Sequence, residues 1–245
     1  MPTSRDFSPV DLRRTVLTML HRARASHLGS NMSVIEMLMA MYSSVDCEAI
    51  RDQHDDRSRV LVSKGHCAAA TYAVMAHQGI LPLEALETFH LDGSLLTGHV
   101  NHGVHGVEHS TGSLGHGLSV AVGCAIGLRA RGHGSTPVLA LCGDGEIQEG
   151  SIWEALMLAG HHRLGSLVLL VDNNRISSIA ATASVIDLNP LRRPFEGFDM
   201  DVREVDGHDV DQISSAISDL LMTPSPGVVI CNTVKGKDVP FAENE

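Results

Sequence analysis

Two hydrophobic rhythms divide the chain. In its second half, unbroken apolar runs at 137–142 (PVLALC), 166–172 (SLVLLVD) and 227–232 (GVVICN) alternate with stretches where apolar positions recur every three or four residues. The runs predict strands covered on both faces, with a further strand at DVREVD (201–206) and helices over 115–130, 149–162 and 209–222. In the first half, Ser8 and Pro9 cap and open a helix that runs through residue 25. Ser33 and Glu36 have capping-box spacing ahead of a Met- and Leu-rich helix. RVLV (59–62) reads as a short buried strand and CAAATYAVMAHQG as a helix closed by Gly79, after which Pro82 opens another short helix through His90. A Gly- and His-rich connection fills 91–113, and an irregular loop follows the 166–172 strand to about residue 198. Strands alternating with helices predict an α/β fold, a mostly parallel sheet with helices on both faces, formed by residues 1–245 as a single domain. Ligands of such sheets bind beyond the carboxyl ends of the strands.

Composition narrows the function classes. The chain has 245 residues, 43% of them hydrophobic, enough for one sizeable core. A formal net charge of −11 argues against a general nucleic-acid or membrane-surface binder, and 3% aromatic residues leave few platforms for stacking bases. The five cysteines form no C-x-x-C pair, and the first residues carry no apolar signal segment, so a cytoplasmic, reduced protein is expected. No apolar stretch approaches the length of a membrane span.

The chemistry concentrates at LALCGDGEIQEG (139–150). Asp144 stands between two glycines where a predicted strand ends. Gly143 is expected to allow a sharp turn, and Gly145 to let backbone N–H groups approach an anion. The next strand ends in VDNNRIS, where Asn174 offers a second, neutral oxygen. An Asp and an Asn on adjacent strand ends suit a small hard cation that also binds phosphate oxygens, and the helix from 149 can turn its N-terminus toward the anion. No G-x-x-x-x-G-K-[ST] is present, so a P-loop is excluded, and TGSLGHG follows a polar loop rather than a dinucleotide-binding strand.

GDG followed about thirty residues later by DNN resembles the thiamine-diphosphate fingerprint. The stretch GDGEIQEGSIWEALMLAGHHRLGSLVLLVDNN, together with SHLGS, VLVSKGHCAAATYAV, LLTGH, GVEHSTGSLGHGLSVAVG, EVDGHD and TVKGK, resembles the amino-terminal, diphosphate-binding half of the transketolase family. The resemblance covers about residues 10–241 and implies the N-terminal subunit of a split, two-chain enzyme. It implies thiamine diphosphate as cofactor, with Mg2+ (or Ca2+ or Mn2+) held by Asp144, Asn174 and the Ile176 carbonyl. Gly145 would offer its N–H to the diphosphate, His66 would lie near diphosphate and sugar, and Gly112 and Leu114 would touch the ring systems. Ser113, Gly143 and Glu146 complete the implied cofactor-binding set. His27, His66 and His99 are the implied catalytic histidines, which bind sugar hydroxyls and move protons; imidazole titrates near neutrality and suits both tasks. Glu149 matches a buried glutamate that couples paired active sites.

By the same resemblance the glutamate that polarises the aminopyrimidine, and most sugar-phosphate contacts, belong to a pyrimidine-binding domain that this chain lacks. The expected partner is therefore a transketolase C-terminal subunit, in an α2β2 heterotetramer, and the single chain is expected to be inactive. The expected reaction moves a two-carbon ketol unit from a ketose (phosphate) to an aldehyde. Two alternatives stay open: the α-subunit of a 2-oxo acid decarboxylase or dehydrogenase, and a non-catalytic cofactor-binding paralogue. The chain departs from the family pattern at several points. SHLGS lacks the usual proline, His116 replaces a glutamine, and His109 replaces a small or apolar residue. The loop after Asn174 lacks Asp-Gly, and a further family histidine beyond TVKGK is not found. His99, His102, His105 and His109 share one loop and offer a zinc reading as an alternative to substrate contacts. Gly123 and Gly127, four apart, predict close helix packing or a subunit interface.

Overall fold

The computed structural model describes residues 7–244. Its centre is a five-stranded, fully parallel sheet made of β1 (Arg59–Val62), β2 (Val138–Gly143), β3 (Leu167–Asn173), β4 (Asp201–Asp206) and β5 (Gly227–Asn232). The strand order is β1-β2-β3-β5-β4. The helices are α1 (Pro9–Ala23), α2 (Leu28–Met32), α3 (Ile35–Ser43), α4 (Cys47–Arg51), α5 (Ala68–His77), α6 (His116–Ala130), α7 (Gly150–His161), α8 (Thr182–Val185), α9 (Arg192–Glu196) and α10 (Val210–Leu221). Among the described residues no helix is long and apolar enough to cross a membrane.

The unbroken apolar runs are central strands because both faces of the sheet are covered. Val60, Leu139, Leu141, Val168, Leu170 and Val229 face one core with α1, α3, α5 and α10. Leu61, Val138, Ala140, Leu167, Leu169 and Val228 face the other with α6, α7 and α9. Each fully buried aliphatic side chain contributes about 1.5–3 kcal/mol, which outweighs any local preference of so short a strand. The two cores also set the site. The chain leaving β1 enters α5 on one face, whereas the chain leaving β2 enters α7 on the other. Neighbouring strands whose connections part in this way leave a crevice at their carboxyl ends.

Several boundaries follow the sequence pattern, and some do not. Ser8 caps α1 as expected, accepting from Asp11 N–H at 3.2 Å while its own N–H donates to Asp11 Oδ2 at 3.1 Å. Ser33 and Glu36 do not form a capping box: α3 starts at Ile35 with no side-chain cap. Ser33 Oγ donates instead to Asp172 Oδ2 at 2.7 Å, and Glu36 pairs with Arg13 at 2.7 Å. The segment after Pro82 is a 3-10 turn, Leu83–Thr88, rather than an α-helix. The helix predicted from 149 begins at Gly150, after a separate 3-10 turn over Glu146–Gln148. Residues 91–113 hold no helix or strand, yet they are tied down: Val100 N–H donates to the Gly65 carbonyl at 3.1 Å, and Arg57 grips Glu108 with two bonds of 2.9 Å.

Candidate active site

A cavity of about 270 Å³ opens in the crevice between the ends of β1, β2 and β3. The end of β1 gives it Lys64 and His66, the end of β2 gives Gly143, Asp144, Gly145 and Glu146, and the chain after β3 gives Asn174 and Ile176. Leu114 closes one side, and Ile179 and Val185 stand exposed at the rim. No residue of α7 lines it; the turn over Glu146–Gln148 intervenes, so the expected approach of that helix N-terminus is not seen.

Asp144 is 5% exposed and has no ion-pair partner among the described residues. Its carboxylate accepts the Gly145 N–H at 2.7 Å and the Arg175 N–H. Burial, and then the neighbouring Asp172 charge, push its pKa up to about 6. Asn174 is oriented by Asp172: its Nδ2 donates to Asp172 Oδ2 at 3.1 Å, and its Oδ1 accepts the Ile176 N–H at 3.0 Å. Arg175 sits between them at φ +65, a left-handed conformation costly for a side-chain-bearing residue, and this aims its N–H at Asp144. A buried, uncompensated carboxylate beside an amide oxygen is the donor set a small divalent cation takes. The residues present therefore fit the metal that the sequence pattern implies.

The two glycines serve differently from the sequence expectation. Gly143 lies inside β2, and its φ is not positive, so it makes no sharp turn. Gly145 is right-handed at φ −65 and gives its N–H to Asp144 rather than into the cavity. What Gly145 contributes is missing bulk, since a Cβ there would stand 3.3 Å from Ser177 Cβ, whereas a Cβ at 143 would make only ordinary contact with the Lys64 side chain at 3.6 Å. Glu146 borders the cavity, but its carboxylate is spent on the chain: it accepts from Ser63 Oγ, from Gly115 N–H at 2.8 Å and from Gly143 N–H at 3.1 Å.

Beneath the cavity lies a buried ion pair that sequence reasoning missed. Lys64 Nζ donates to Asp172 Oδ2, with side chains 4% and 0% exposed. Asp172 also accepts from Ser33, Asn174 and Thr233. Burial alone would raise the Asp172 pKa and lower that of Lys64; their mutual attraction outweighs it and shifts each the other way. The sole sequence signal was a lysine and an aspartate at the ends of apolar runs, with no local cue to join them. Lys235, in TVKGK, also reaches the cavity, its Nζ 3.5 Å from the Ser177 carbonyl.

The three histidines converge. The rings of His27 and His66, and of His27 and His99, lie 5.4 Å apart. His66 faces the main cavity, while His27 and His99 line a smaller adjoining pocket of about 80 Å³. Asn31, absent from the sequence expectations, ties two of them: its Nδ2 donates to the carbonyls of His27 at 2.8 Å and His66 at 3.3 Å. His27 is itself held at φ +70. Burial, and then Lys64, push the His66 pKa down to about 3; burial, and then His99, lower that of His27. Both rings are neutral near pH 7 and can donate at one nitrogen and accept at the other. Gly112 packs under His99, where a Cβ would come within 3.2 Å of the ring.

Other expected residues lie elsewhere. Ser113 is exposed and lines neither cavity, and Glu149, expected to be buried, is exposed in the single chain at the start of α7. His102 bonds Ser110 at 2.7 Å and His105 bonds the Arg51 carbonyl, and among the described residues no cluster of His, Cys, Asp or Glu is arranged to hold a metal. His116 is exposed at the start of α6 and His109 is half-buried outside both cavities. Gly123 and Gly127 have open space where a Cβ would be, so they pack against nothing within the chain.

Comparison with known proteins adds three findings. Residues 9–245 match the family model of the transketolase thiamine diphosphate binding domain. The 6-deoxy-6-sulfo-D-fructose transketolase subunit SqwG of Clostridium sp. (strain MSTE9) is 34% identical over 96% of this chain and 86% of its own. An apulose-4-phosphate transketolase subunit of Actinobacillus succinogenes is 35% identical over 94% of this chain and 84% of its own. Among solved structures, the transketolase of Campylobacter jejuni superposes with a TM-score of 0.82 at 28% identity, over 94% of this chain but only 37% of that one.

Proposed function

The chain belongs to the transketolase thiamine-diphosphate-binding family, and from that premise we propose that it is the diphosphate-binding subunit of a two-chain transketolase. It would move a two-carbon ketol unit from a ketose bearing an anionic end to an aldehyde, with residues 1–245 as a single domain. The observation that carries this reading is the crevice in which Asp144, Asn174 and Ile176 meet His66 and Lys64 beyond the strand ends. Two relatives are named as subunits, and this chain spans about a third of the solved Campylobacter jejuni transketolase chain. Both features support a separate partner that brings the pyrimidine-binding half, in an α2β2 assembly. The exposed Ile179, Val185 and Ile186 at or beside the cavity rim give that partner an apolar surface to cover.

Asp144, Asn174 and the Ile176 carbonyl would hold Mg2+ or a similar ion, and the ion in turn the diphosphate, with Lys64 beneath. Bound thiamine diphosphate supplies an electron sink for cleaving and forming the bond beside a ketose carbonyl. His27, His66 and His99 would bind the sugar hydroxyls and move their protons. The lowered pKa values of His27 and His66 keep both rings uncharged near pH 7, so each can donate a hydrogen bond to a sugar hydroxyl at one nitrogen and accept one at the other. The names of the two relatives also bear on the alternatives: both are transketolases, both names carry a sulfo or phosphate group on the sugar, and neither names a 2-oxo acid.

The test is reconstitution. The purified chain with Mg2+ and thiamine diphosphate is expected to turn over no ketose phosphate, whereas a mixture with a pyrimidine-binding transketolase subunit is expected to transfer the two-carbon unit. Turnover by the single chain would contradict the split arrangement. Carbon dioxide release from pyruvate by the mixture, without ketose turnover, would contradict the reaction assigned.

A further inference from the structure

Two groups singled out by the sequence pattern take no part in the cavity: Glu36, and His208 in EVDGHD. The fold brings them together with Arg13. Arg13 Nη1 and Nη2 donate to Glu36 at 2.7 and 3.0 Å, and the two residues are 4% and 3% exposed. His208 Nδ1 meets Glu36 Oε2 at 3.1 Å, while its Nε2 accepts the Val234 N–H at 2.9 Å. The ring therefore carries its proton on Nδ1 and donates it to Glu36. Arg13 Nε donates to the Lys237 carbonyl at 3.3 Å.

One buried cluster thus grips the segment at 234 and again at 237. Between those points Gly236 donates to the Gly29 carbonyl at 3.1 Å. It does so at φ +76, where a Cβ would fall 2.0 Å from the Ala242 carbonyl oxygen. Lys235 projects from this pinned segment into the cavity wall and has no carboxylate within ion-pair distance among the described residues. Its stem lies along α2, where a Cβ on Gly29 would come within 3.1 Å of Lys235 Cγ. A buried ion pair adds little that apolar packing could not, so stability alone does not account for it. Fixed direction is what hydrogen-bonded charges supply and apolar contacts do not.

We propose that Arg13, Glu36 and His208 are positioning residues that hold segment 234–237 so that the Lys235 ammonium faces the cavity as a preset anion-binding group for the diphosphate tail, the identity of that tail resting on the function proposed above. Presetting a long lysine removes part of the ordering cost that a free side chain would meet on binding.

The experiment is a double-mutant cycle on the chain with its partner subunit, read by calorimetric binding of thiamine diphosphate with Mg2+. His208→Ala is expected to weaken binding about tenfold. His208→Gln, which can still accept from Val234, recovers most of it. In a Lys235→Ala background His208→Ala has no further effect. An equal loss in both backgrounds would mean that the ring merely supports the fold and would overturn the proposal. A second readout needs no ligand: amide exchange over 234–237 quickens in His208→Ala while α1 and α3 keep their protection. If the unaltered protein binds neither thiamine diphosphate nor inorganic pyrophosphate, the proposed function fails. The exchange result then decides the positioning claim, and unchanged exchange over 234–237 sinks it.

Discussion

Neighbouring strands β2 and β3 each have a buried aspartate at the carboxyl end, Asp144 just beyond β2 and Asp172 one residue short of the end of β3, and the fold treats the two in opposite ways. Asp172 is wholly buried and saturated: Lys64, Ser33, Asn174 and Thr233 all donate to it, and its pKa is held down. Asp144, one strand over, receives only two backbone N–H groups, and its pKa is pushed up to about 6. The backbone joins them directly, since Asp144 N–H donates to the Asp172 carbonyl at 3.1 Å. The same chemical group is thus a strut in one place and an unmet demand for positive charge in the other. A divalent ion would answer that demand.

The largest effect separates the two. Lys64→Met leaves Asp172 charged, buried and unpaired, and is expected to cost about 3–5 kcal/mol in urea unfolding. Asp144→Asn acts in the opposite direction in the absence of ligand. The folded pKa of Asp144 lies above the unfolded value, so its contribution favours the folded state at low pH and is lost as pH rises from about 4 to about 6. Removing the charge is expected to stabilise the chain by roughly 2 kcal/mol at pH 7.5 and to abolish Mg2+-dependent cofactor binding. Destabilisation by Asp144→Asn would break the comparison. His66 runs the other way again. Its folded pKa of about 3 lies below the unfolded value, so stability is lost as pH falls below about 6.5. His66→Gln should therefore spare the chain roughly 2 kcal/mol of acid loss between pH 7.5 and 5, read as unfolding midpoints. The smallest effect sharpens the Asp144 geometry: Arg175→Gly keeps the N–H that Asp144 accepts while removing a left-handed side chain, and should stabilise by less than about 1 kcal/mol.

What the sequence made legible divides along the same line. Strands β1, β2, β3 and β5 were readable because both their faces are buried, and Asp144 and Asn174 because each stands where an apolar run stops. His27, His66 and His99 came from motif context, and the fold does gather them. Lys64 with Asp172, and Arg13 with Glu36, were not readable, because partners joined across 108 and 23 residues leave no local signature. Where a local signature did exist, at Ser33 and Glu36, tertiary partners overrode it. The glycines of GDG misled in the same way: neither makes a sharp turn, and Gly145 serves by leaving space at Ser177. Glu149 is exposed and the Gly123–Gly127 face is unpacked in the single chain, so nothing within it shows what they serve.

If Asp144 is the metal ligand proposed, its titration must change when a cation binds. Its side-chain carboxyl can be followed by carbon NMR across pH 3–8 in the ligand-free chain and again with Mg2+ and thiamine diphosphate alongside the partner subunit. The predicted result is a titration near pH 6 without ligand that disappears from the range 5–8 once the ion is present. An ordinary aspartate titration in the free chain, or one that stays near pH 6 with Mg2+ and thiamine diphosphate bound, would contradict it.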